Sequence, residues 1–174
     1  MRGRAIVLPF AVAADVDTKR RSGWLHVADV DGCSSMLNID SNLTRGAWQS
    51  TFLMTHCGRT RRPPRRVPAV SLEHVVSKWL RGRDVSFVKV DAQGYDLAVA
   101  QSAASAARRI QVMKLEVTAD ECRTAYVGAP TCSSTVAGMR ELGFVELTSC
   151  ADVKWRNRNC AADLLFTRSK RRAR

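Results

Sequence analysis

The chain has 174 residues, of which 45% are hydrophobic and 25% charged, and its formal net charge is +12. These values are typical of one ordinary globular domain that buries about 70% of its unfolded surface, and they exclude a wholly disordered chain. No apolar run approaches the roughly 20 residues that a membrane-spanning helix needs, so we expect no membrane span.

The first apolar stretch, residues 5–14, has two interpretations. A basic start, a short apolar run and small residues at Ala11 and Ala13 imitate a secretory signal. We favour a buried strand over residues 5–13, followed by a second strand from Gly23 to Asp29, where the pattern has a period of two. Residues 32–66 are rich in Ser, Asn, Gly, Arg and Pro and predict loops.

The next predicted unit is a short strand, Val67–Val70, followed by a helix. Ser71 is a good N-cap residue, and apolar side chains then recur at the spacing of one helix face. Gly82 is expected to end the helix. The apolar face consists of Leu72, Val75, Val76, Trp79 and Leu80.

A strand-helix-strand unit over residues 85–117 carries the strongest functional signal. An apolar, β-branched run predicts a buried strand that ends at Asp91, turns through Gly94 and enters a helix over residues 96–107; a second apolar strand then carries Glu116. Such a unit nearly always crosses over right-handed, which makes its two strands parallel. Ligands bind at the carboxyl ends of strands in open α/β sheets. If these strands are neighbours, about 4.8 Å apart, the two carboxylates share one rim.

Each acid has a functional and a plainer interpretation. Asp91 is placed to orient or deprotonate a hydroxyl, or to help hold a divalent metal; alternatively it is an acid favoured by the dipole of the following helix. Glu116 occupies the same position on the next strand, or else anchors a loop. Lys89 and Lys114 lie two residues before each acid, on the same face, where they would neutralise part of the repulsion between the carboxylates.

The end of the chain predicts a helix and two strands. The helix covers about residues 133–142 and ends at Gly143. Strands over residues 144–149 and 161–167 follow one another through a polar loop, which favours an antiparallel pair. We therefore expect one domain over residues 1–168 and a basic disordered tail over residues 169–174.

A set of short motifs in a fixed order, over about residues 5–168, resembles one enzyme family. The motifs are Ala11-Val12-Ala13, Gly23–Val27, Gly32–Ser35, Val67–Glu73, Lys89–Asp96, Leu115-Glu116-Val117 and Asp163–Phe166. Together they resemble FkbM-type methyltransferases, which transfer a methyl group from S-adenosylmethionine, usually to a hydroxyl oxygen. The stretch from Lys89 to Asp96 resembles the core motif of that family.

The resemblance implies both a fold and a site. The fold would be α/β: the Rossmann-like class I methyltransferase sheet, mostly parallel, with a C-terminal antiparallel hairpin and with the first two strands absent. The acceptor would be a small molecule or a sugar. The resemblance implies catalytic roles for Asp91 and Glu116, cofactor contacts from Ala13, Ser34, Ser35, Asp91 and Gly94, and substrate contacts from Lys89 and Tyr95; a divalent metal is left open.

The sequence departs from the family pattern in two ways. Gln93 stands where the family has Glu. The glycine-rich loop of the type D-x-G-A-x-x-G, which lets the backbone approach the cofactor, and the acid that holds the ribose hydroxyls do not occur. We therefore expect this chain to bind S-adenosylmethionine weakly or not at all, in which case activity would require upstream residues.

The six cysteines leave the compartment open. The ten-residue spacings Cys122–Cys132 and Cys150–Cys160 permit local disulfides, each worth about 2–4 kcal/mol. Six cysteines allow many pairings, however, and no C-x-x-C occurs. The alternative is free thiols, which the lack of a clear signal segment favours. Free thiols would indicate the cytoplasm, and paired ones the secretory route.

Three basic clusters, residues 19–21, 59–66 and 168–174, carry much of the positive charge. They fall in predicted turns, a proline-rich loop and the tail. One interpretation is a non-enzymatic protein that binds nucleic acid or another polyanion. Solvated charge with only non-specific attraction to nucleic acid is favoured, because no aromatic side chains are interleaved to stack on bases.

Overall fold

The structure is a computed structural model that describes residues 5–14, 21–40, 63–153 and 160–169. Within these ranges the chain forms seven strands in two sheets, together with three α-helices. The strands are β1 (Ala11–Val12), β2 (Ser22–Leu25), β3 (Arg65–Val70), β4 (Val85–Lys89), β5 (Ile110–Thr118), β6 (Phe144–Glu146) and β7 (Ala161–Arg168). The helices are α1 (Leu72–His74), which continues as a π-helical turn over Val75–Trp79, α2 (Asp96–Gln101) and α3 (Cys132–Glu141).

The larger sheet has the strand order β4-β5-β7-β6. Strands β4 and β5 are parallel and α2 lies between them in the chain, which confirms the predicted strand-helix-strand unit. Strand β7 runs antiparallel to both β5 and β6, which confirms the predicted C-terminal antiparallel pair. Because β7 lies between β5 and β6, the carboxyl ends of β4, β5 and β6 all point to the same end of the sheet.

The smaller sheet has the order β1-β3-β2, with β1 parallel and β2 antiparallel to β3. Both sheets contribute to one hydrophobic core. Ala13 and Ala69 from the smaller sheet belong to the same buried cluster as Met113 and Phe166 from the larger one, and all four side chains are fully buried. Burial of this apolar surface, worth about 25 cal/mol per Å², is what holds the sheets together.

Helix α1 begins and ends as predicted but buries less than predicted. The Ser71 hydroxyl accepts a hydrogen bond from the His74 N–H at 3.1 Å, which confirms the N-cap. Gly82 has a φ of +68° and its N–H donates to the Val76 carbonyl at 2.9 Å. The end of the apolar face is exposed, however, because the last turn is π-helical and rotates Trp79 away from the core.

The helix predicted over residues 96–107 is shorter in the structure. It ends at Gln101, and a 3₁₀ segment, Ala104–Arg109, follows. The Ser102 hydroxyl donates to the Val99 carbonyl at 2.6 Å and accepts from the Leu72 N–H at 2.9 Å. This serine therefore ties the end of α2 to the start of α1, a tertiary contact that helix propensity does not encode.

The prediction of one mostly parallel sheet is wrong. Of the five strand pairings among the described residues, only β1 with β3 and β4 with β5 are parallel. Antiparallel strands join each sheet: β2 pairs with β3, and β7 enters between β5 and β6. Such pairings depend on which edge a strand reaches in the folded chain, and the hydrophobic period of a strand does not report that.

Two predicted strands near the amino terminus are also shorter. The prediction of a buried strand over residues 5–13 is wrong for residues 5–10, because Ile6 is 82% and Val7 93% exposed. Only Ala11–Val12 pairs with β3. The strand predicted from Gly23 to Asp29 ends at Leu25, after which an isolated bridge joins His26 to Ser35.

Strand β4 is an edge strand and not the buried strand that its apolar sequence predicts. Its described neighbour is β5, and its other edge faces no described strand. As a result Phe87 is 51% exposed, while Val90, which follows the strand, is buried. One side of β4 faces the core and the other lies open.

The cysteines in the described ranges are paired, and not at the ten-residue spacings. Disulfides join Cys122 to Cys160 and Cys132 to Cys150, with Cα–Cα distances of 6.1 and 6.0 Å, and Cys33 is disulfide-bonded as well. The prediction of free thiols and the prediction of disulfides at ten-residue spacings are therefore both wrong for these cysteines. The reason lies in the sheet: β5 and β7 meet at the pair Thr118 and Ala161, which brings the cysteines beyond each strand together.

No helix in the described ranges is long and apolar enough to cross a membrane. Of the tail predicted to be disordered, only Ser169 is described; its N–H donates to the Gly143 carbonyl at 3.0 Å. Residues 170–174 lie outside the described residues, as do residues 19–20 and 59–62 of the other basic clusters.

Candidate functional site

Three carboxylates line the carboxyl end of the larger sheet. In the register of β4 and β5, Lys89 pairs with Lys114, and the ladder continues through the Val90 N–H, which donates to the Lys114 carbonyl at 2.8 Å. Two residues further, Asp91 therefore stands beside Glu116. On the other side of β5, Glu116 pairs with Asp163 of β7. We call Asp91, Glu116 and Asp163 the acidic rim.

Two lysines lie one step below the acidic rim on the same face. The Lys89 Nζ is 2.7 Å from Asp91 Oδ2, and the Lys114 Nζ is 2.7 Å from Asp163 Oδ2. The side chains of Lys89 and Asp91 are 50% and 48% exposed, so solvent screens this pair strongly. The lysines thus neutralise the two outer acids of the row.

These contacts determine what Asp91 can do. The hydrogen bond from Lys89 holds the pKa of Asp91 below its usual range, and the Gln93 amide, whose Nε2 donates to Asp91 Oδ1 at 3.0 Å, acts in the same direction. A carboxylate with a lowered pKa is a weak base but a permanent hydrogen-bond acceptor. Asp91 is therefore better suited to holding a hydroxyl group than to removing its proton.

Asp96 has the opposite environment. It is 2% exposed, and its carboxylate accepts hydrogen bonds from the N–H groups of Ala92 and Glu116, each at 3.3 Å. Burial raises the pKa of Asp96. Because it bonds to both the turn after β4 and the backbone of β5, this residue fixes Asp91 and Glu116 relative to each other.

Tyr126 reaches the site from the loop after β5 and was not predicted from the sequence. Its hydroxyl lies 3.0 Å from Gln93 Oε1 and 3.1 Å from the Cys33 carbonyl oxygen, either of which can accept its single proton. Burial first, and then the charges of Glu116, Asp91 and Asp96, raise the pKa of Tyr126. It is therefore a neutral hydrogen-bond donor. A tyrosine in a Gly- and Pro-containing loop carries no sequence signal for such a position.

Gln93, the departure from the family motif, has a physical reason in this network. Its amide donates to Asp91 through Nε2 and accepts from Tyr126 through Oε1. An ionised Glu accepts hydrogen bonds but donates none, so it would repel Asp91 at this position. The amide therefore suits a site in which the neighbouring acid stays ionised.

The serine pair predicted to contact cofactor is used to hold the backbone. The Ser35 hydroxyl is buried, donates to the Gln93 carbonyl at 2.8 Å and accepts from the Leu37 N–H at 3.0 Å. The Ser34 hydroxyl accepts from the Ala28 N–H at 3.2 Å. The structure thus brings the serines to the turn after β4, where Ser35 supports the site from behind.

The glycine at position 94 is explained by packing. It has a φ of +84°, and a Cβ there would lie 2.9 Å from Tyr126 Cδ2 and 3.1 Å from the Ala129 Cβ. Glycine is therefore required because the Tyr126 loop packs directly on the turn. In this structure protein atoms occupy the side of Gly94 that was expected to face a cofactor.

Two other predicted site residues lie in the core. Ala13 is fully buried, and its N–H donates to the Val70 carbonyl at 3.0 Å. Tyr95 is 9% exposed and packs in the same cluster at the start of α2. Among the predicted residues, Asp91, Glu116 and Lys89 come together at the rim, whereas Ala13 and Tyr95 support the fold beneath it.

No group of three or more His, Cys, Asp or Glu side chains in the described part of the chain has an arrangement that could hold a metal ion. The acidic rim combines the ionised Asp91, two further acids on the adjacent strands β5 and β7, and the two lysines below them.

Comparison with known proteins finds no matching family model, no matching curated protein and no matching solved structure. What the site does is therefore argued from its own residues.

Proposed function

We propose that this protein is a methyltransferase of the FkbM type that transfers a methyl group from S-adenosylmethionine to a hydroxyl oxygen of a small molecule or sugar. The observation that carries the proposal is the placement of Asp91 just beyond β4 and of Glu116 near the end of the neighbouring parallel strand β5, at the carboxyl end of the sheet. Ligands of open α/β sheets bind at this end.

In this proposal each residue of the rim has a role that follows from its environment. Asp91, held ionised by Lys89, accepts a hydrogen bond from the acceptor hydroxyl and orients its oxygen. Glu116, one strand away, takes the proton that the hydroxyl loses when its oxygen forms the new bond to carbon. Lys89 and Lys114 limit the repulsion between the two acids. S-adenosylmethionine supplies the methyl group.

The described residues fit the acceptor better than the methyl donor. Asp91 presents a carboxylate that is 48% exposed. The other residues expected to contact the cofactor are covered or engaged: Ala13 and Ser35 are buried, Ser34 bonds to backbone, and Gly94 packs on Tyr126. Among the residues expected to contact the cofactor, Asp91 alone keeps an exposed polar group, so the described residues contact the donor through this carboxylate, beside the acceptor hydroxyl.

Binding of S-adenosylmethionine by the purified chain tests the proposal. We expect titration calorimetry to detect binding at concentrations up to about 1 mM, a binding free energy of about 4 kcal/mol. Asp91→Asn removes a charged hydrogen-bond acceptor, worth about 1.5–3 kcal/mol, and should weaken binding at least about tenfold. Any transfer of a labelled methyl group to one of a panel of monosaccharides and simple alcohols then identifies the acceptor.

The matched control is Asp84→Asn, which removes the same charge from an aspartate that is 73% exposed at the opposite end of the sheet. Its binding should equal that of the parent chain. The proposal is wrong if the parent chain does not bind S-adenosylmethionine at about 1 mM, which corresponds to a binding free energy of about 4 kcal/mol. It is also wrong if Asp91→Asn and Asp84→Asn bind S-adenosylmethionine equally well.

We further propose that the chain matures in an oxidising compartment. Disulfides are rare in reducing cytosol, and Cys33, Cys122, Cys132, Cys150 and Cys160 are all disulfide-bonded. Thiol titration of the denatured protein, isolated from its native host without reductant, should find no free thiol at these positions. Reactive thiols at all of them would contradict this.

A further inference from the structure

The amino end of the larger sheet is basic, in contrast to the acidic rim. Three short segments converge there: the turn before β4, the segment before β5 and the end of β7. The register places Val85 beside Ile110 and Thr167 beside Val112, so the residues before and after these pairs are neighbours. The arginines contributed are Arg81, Arg83, Arg108, Arg109 and Arg168, and we call them the arginine cluster.

Contacts fix two members of the cluster. A Cβ added to Gly82 would lie 3.4 Å from the Arg109 Cζ, so this guanidinium lies against the turn that carries Arg81 and Arg83. The Arg168 Nη1 donates to the Ala107 carbonyl at 2.8 Å, next to Arg108 in the chain. These two contacts and the strand register therefore bring the three segments that carry the arginines to one end of the sheet.

Little negative charge balances the cluster. Asp84 approaches Arg109 at 3.8 Å, with the two side chains 73% and 39% exposed. Arg81, Arg83 and Arg108 are exposed and form no ion pair within the described residues. Adjacent like charges cost electrostatic free energy, so an arrangement of this kind favours an anionic ligand that spans several arginines. Arginine suits oxyanions because its fork donates two parallel hydrogen bonds.

The disulfides indicate the class of anion. Polyanions of the cytosol and nucleus are nucleic acids, but the paired cysteines favour an oxidising compartment. Abundant polyanions there are polysaccharides that carry sulfate and carboxylate groups. Exposed aromatic side chains lie close to the cluster in sequence, at Trp79 and Phe87, so the choice between these two classes of anion rests on the compartment.

We propose that the arginine cluster at the amino end of the larger sheet is a binding surface for a sulfated polysaccharide. The surface lies at the opposite end of the strands from the acidic rim, so one chain carries two separate sites: one for a hydroxyl-bearing acceptor, the other for a polyanion. The proposal stands independently of methyl transfer.

The test uses a fluorescent heparin oligosaccharide and anisotropy titrations of the full chain at several NaCl concentrations. The triple variant Arg81→Asn, Arg83→Ser and Arg108→Ser removes three charges, with Asn at position 81 because the φ there is +52° and Asn tolerates that conformation. We expect at least tenfold weaker binding, and a slope of log K against log salt that is smaller by about 2 to 3.

The matched control is Arg21→Asn, Arg65→Ser and Arg66→Ser, three exposed arginines of the smaller sheet, of which Arg21 also has a positive φ of 48°. It should bind within about twofold of the parent chain. Near-ultraviolet circular dichroism confirms that both variants fold. The proposal is overturned if the two triple variants lose affinity equally, if the first loses none, or if a DNA duplex of matched charge binds as tightly as heparin.

Discussion

The two ends of the larger sheet differ in charge, in cross-linking and in the way their turns are packed. The carboxyl end carries Asp91, Glu116 and Asp163. Both described disulfides lie there, since Cys122 and Cys160 flank the pair Thr118 and Ala161, and Cys132 follows Thr131, which bridges to Thr118. The amino end carries the arginine cluster and is held by hydrogen bonds such as that from Ser169 to Gly143.

The difference shows where this fold needs rigidity. The rim places ionised groups side by side, which is costly unless donors and counter-charges are fixed in position. Disulfides, the buried Asp96 and the Tyr126 loop supply that fixation at the carboxyl end. Arg81, Arg83 and Arg108 at the amino end are exposed, so solvent and salt reduce their mutual repulsion and less fixation is needed there.

Removing a disulfide should have the largest effect. For the 38-residue separation of Cys122 and Cys160, chain entropy predicts a loss of about 4 kcal/mol in the free energy of unfolding, and for the 18-residue separation of Cys132 and Cys150 about 3 kcal/mol. Urea denaturation of the two double Cys→Ala variants measures both.

Hydrogen exchange shows which part of the chain loses stability when a disulfide is removed. In Cys122→Ala/Cys160→Ala, amides of the loop around Tyr126 should exchange faster, while the Ser169 amide at the amino end should change only by the global loss of stability. Equal acceleration at both ends would show that the disulfide does not stabilise the rim specifically.

Alanine at Gly94 should be the next most damaging change. A positive φ costs a non-glycine residue about 1–2 kcal/mol, and contact with Tyr126 and Ala129 adds an overpacking cost of about 1–3 kcal/mol. Gly143, at the amino end, has the same φ of +84° but no atom within 4 Å of the added Cβ. Gly143→Ala therefore measures the cost of the backbone conformation alone. If Gly94→Ala and Gly143→Ala lose the same free energy of unfolding, the Tyr126 loop moves aside without cost.

Asp91 and Asp96 should show opposite dependence on pH. The pKa of Asp91 is lowered, so its contribution to stability is present above the unfolded pKa near 3.8 and is lost as the pH falls through its folded pKa. The pKa of Asp96 is raised, so its contribution is full below 3.8 and is lost as the pH rises through its folded pKa.

The measurement is the free energy of unfolding of the parent chain minus that of Asp91→Asn or Asp96→Asn, from about pH 3 to pH 7. The difference should grow with pH for Asp91→Asn and shrink with pH for Asp96→Asn. Slopes of the same sign would contradict the assigned environments. At neutral pH, Asp96→Asn also leaves one backbone N–H without its acceptor, at a cost of about 1–3 kcal/mol.

The smallest expected effect is a change in the pKa of one side chain, Asp91. Lys89→Met removes the hydrogen bond that contributes most to the low pKa of Asp91, so carbon-13 NMR should show that pKa moving up toward its usual value. Asp120 is the internal control, because its pKa is lowered by hydrogen bonds from Ser133 and should stay unchanged. No movement at Asp91 would mean that Lys89 does not contact it in solution.

Part of this arrangement was predictable from the sequence because it depends on near neighbours in the chain. The Ser71 cap, the turn through Gly94 and the parallel pairing across α2 follow from local rules of helix capping, glycine conformation and crossover handedness. The meeting of Asp91 with Glu116 follows from the last of these. Tyr126 could not be predicted, since it enters the site from a loop whose position depends on long-range contacts.

The sequence by itself determined the order of strands and helices over residues 65–118, and that one acid follows β4 while a second lies near the end of the parallel strand β5, because these features arise from periodicity and short-range stereochemistry. Tertiary structure alone decided that β7 enters between β5 and β6, that cysteines pair across strand ends, and that β4 lies at an edge. These depend on which surfaces meet when the core is buried, and burial is a property of the whole folded chain.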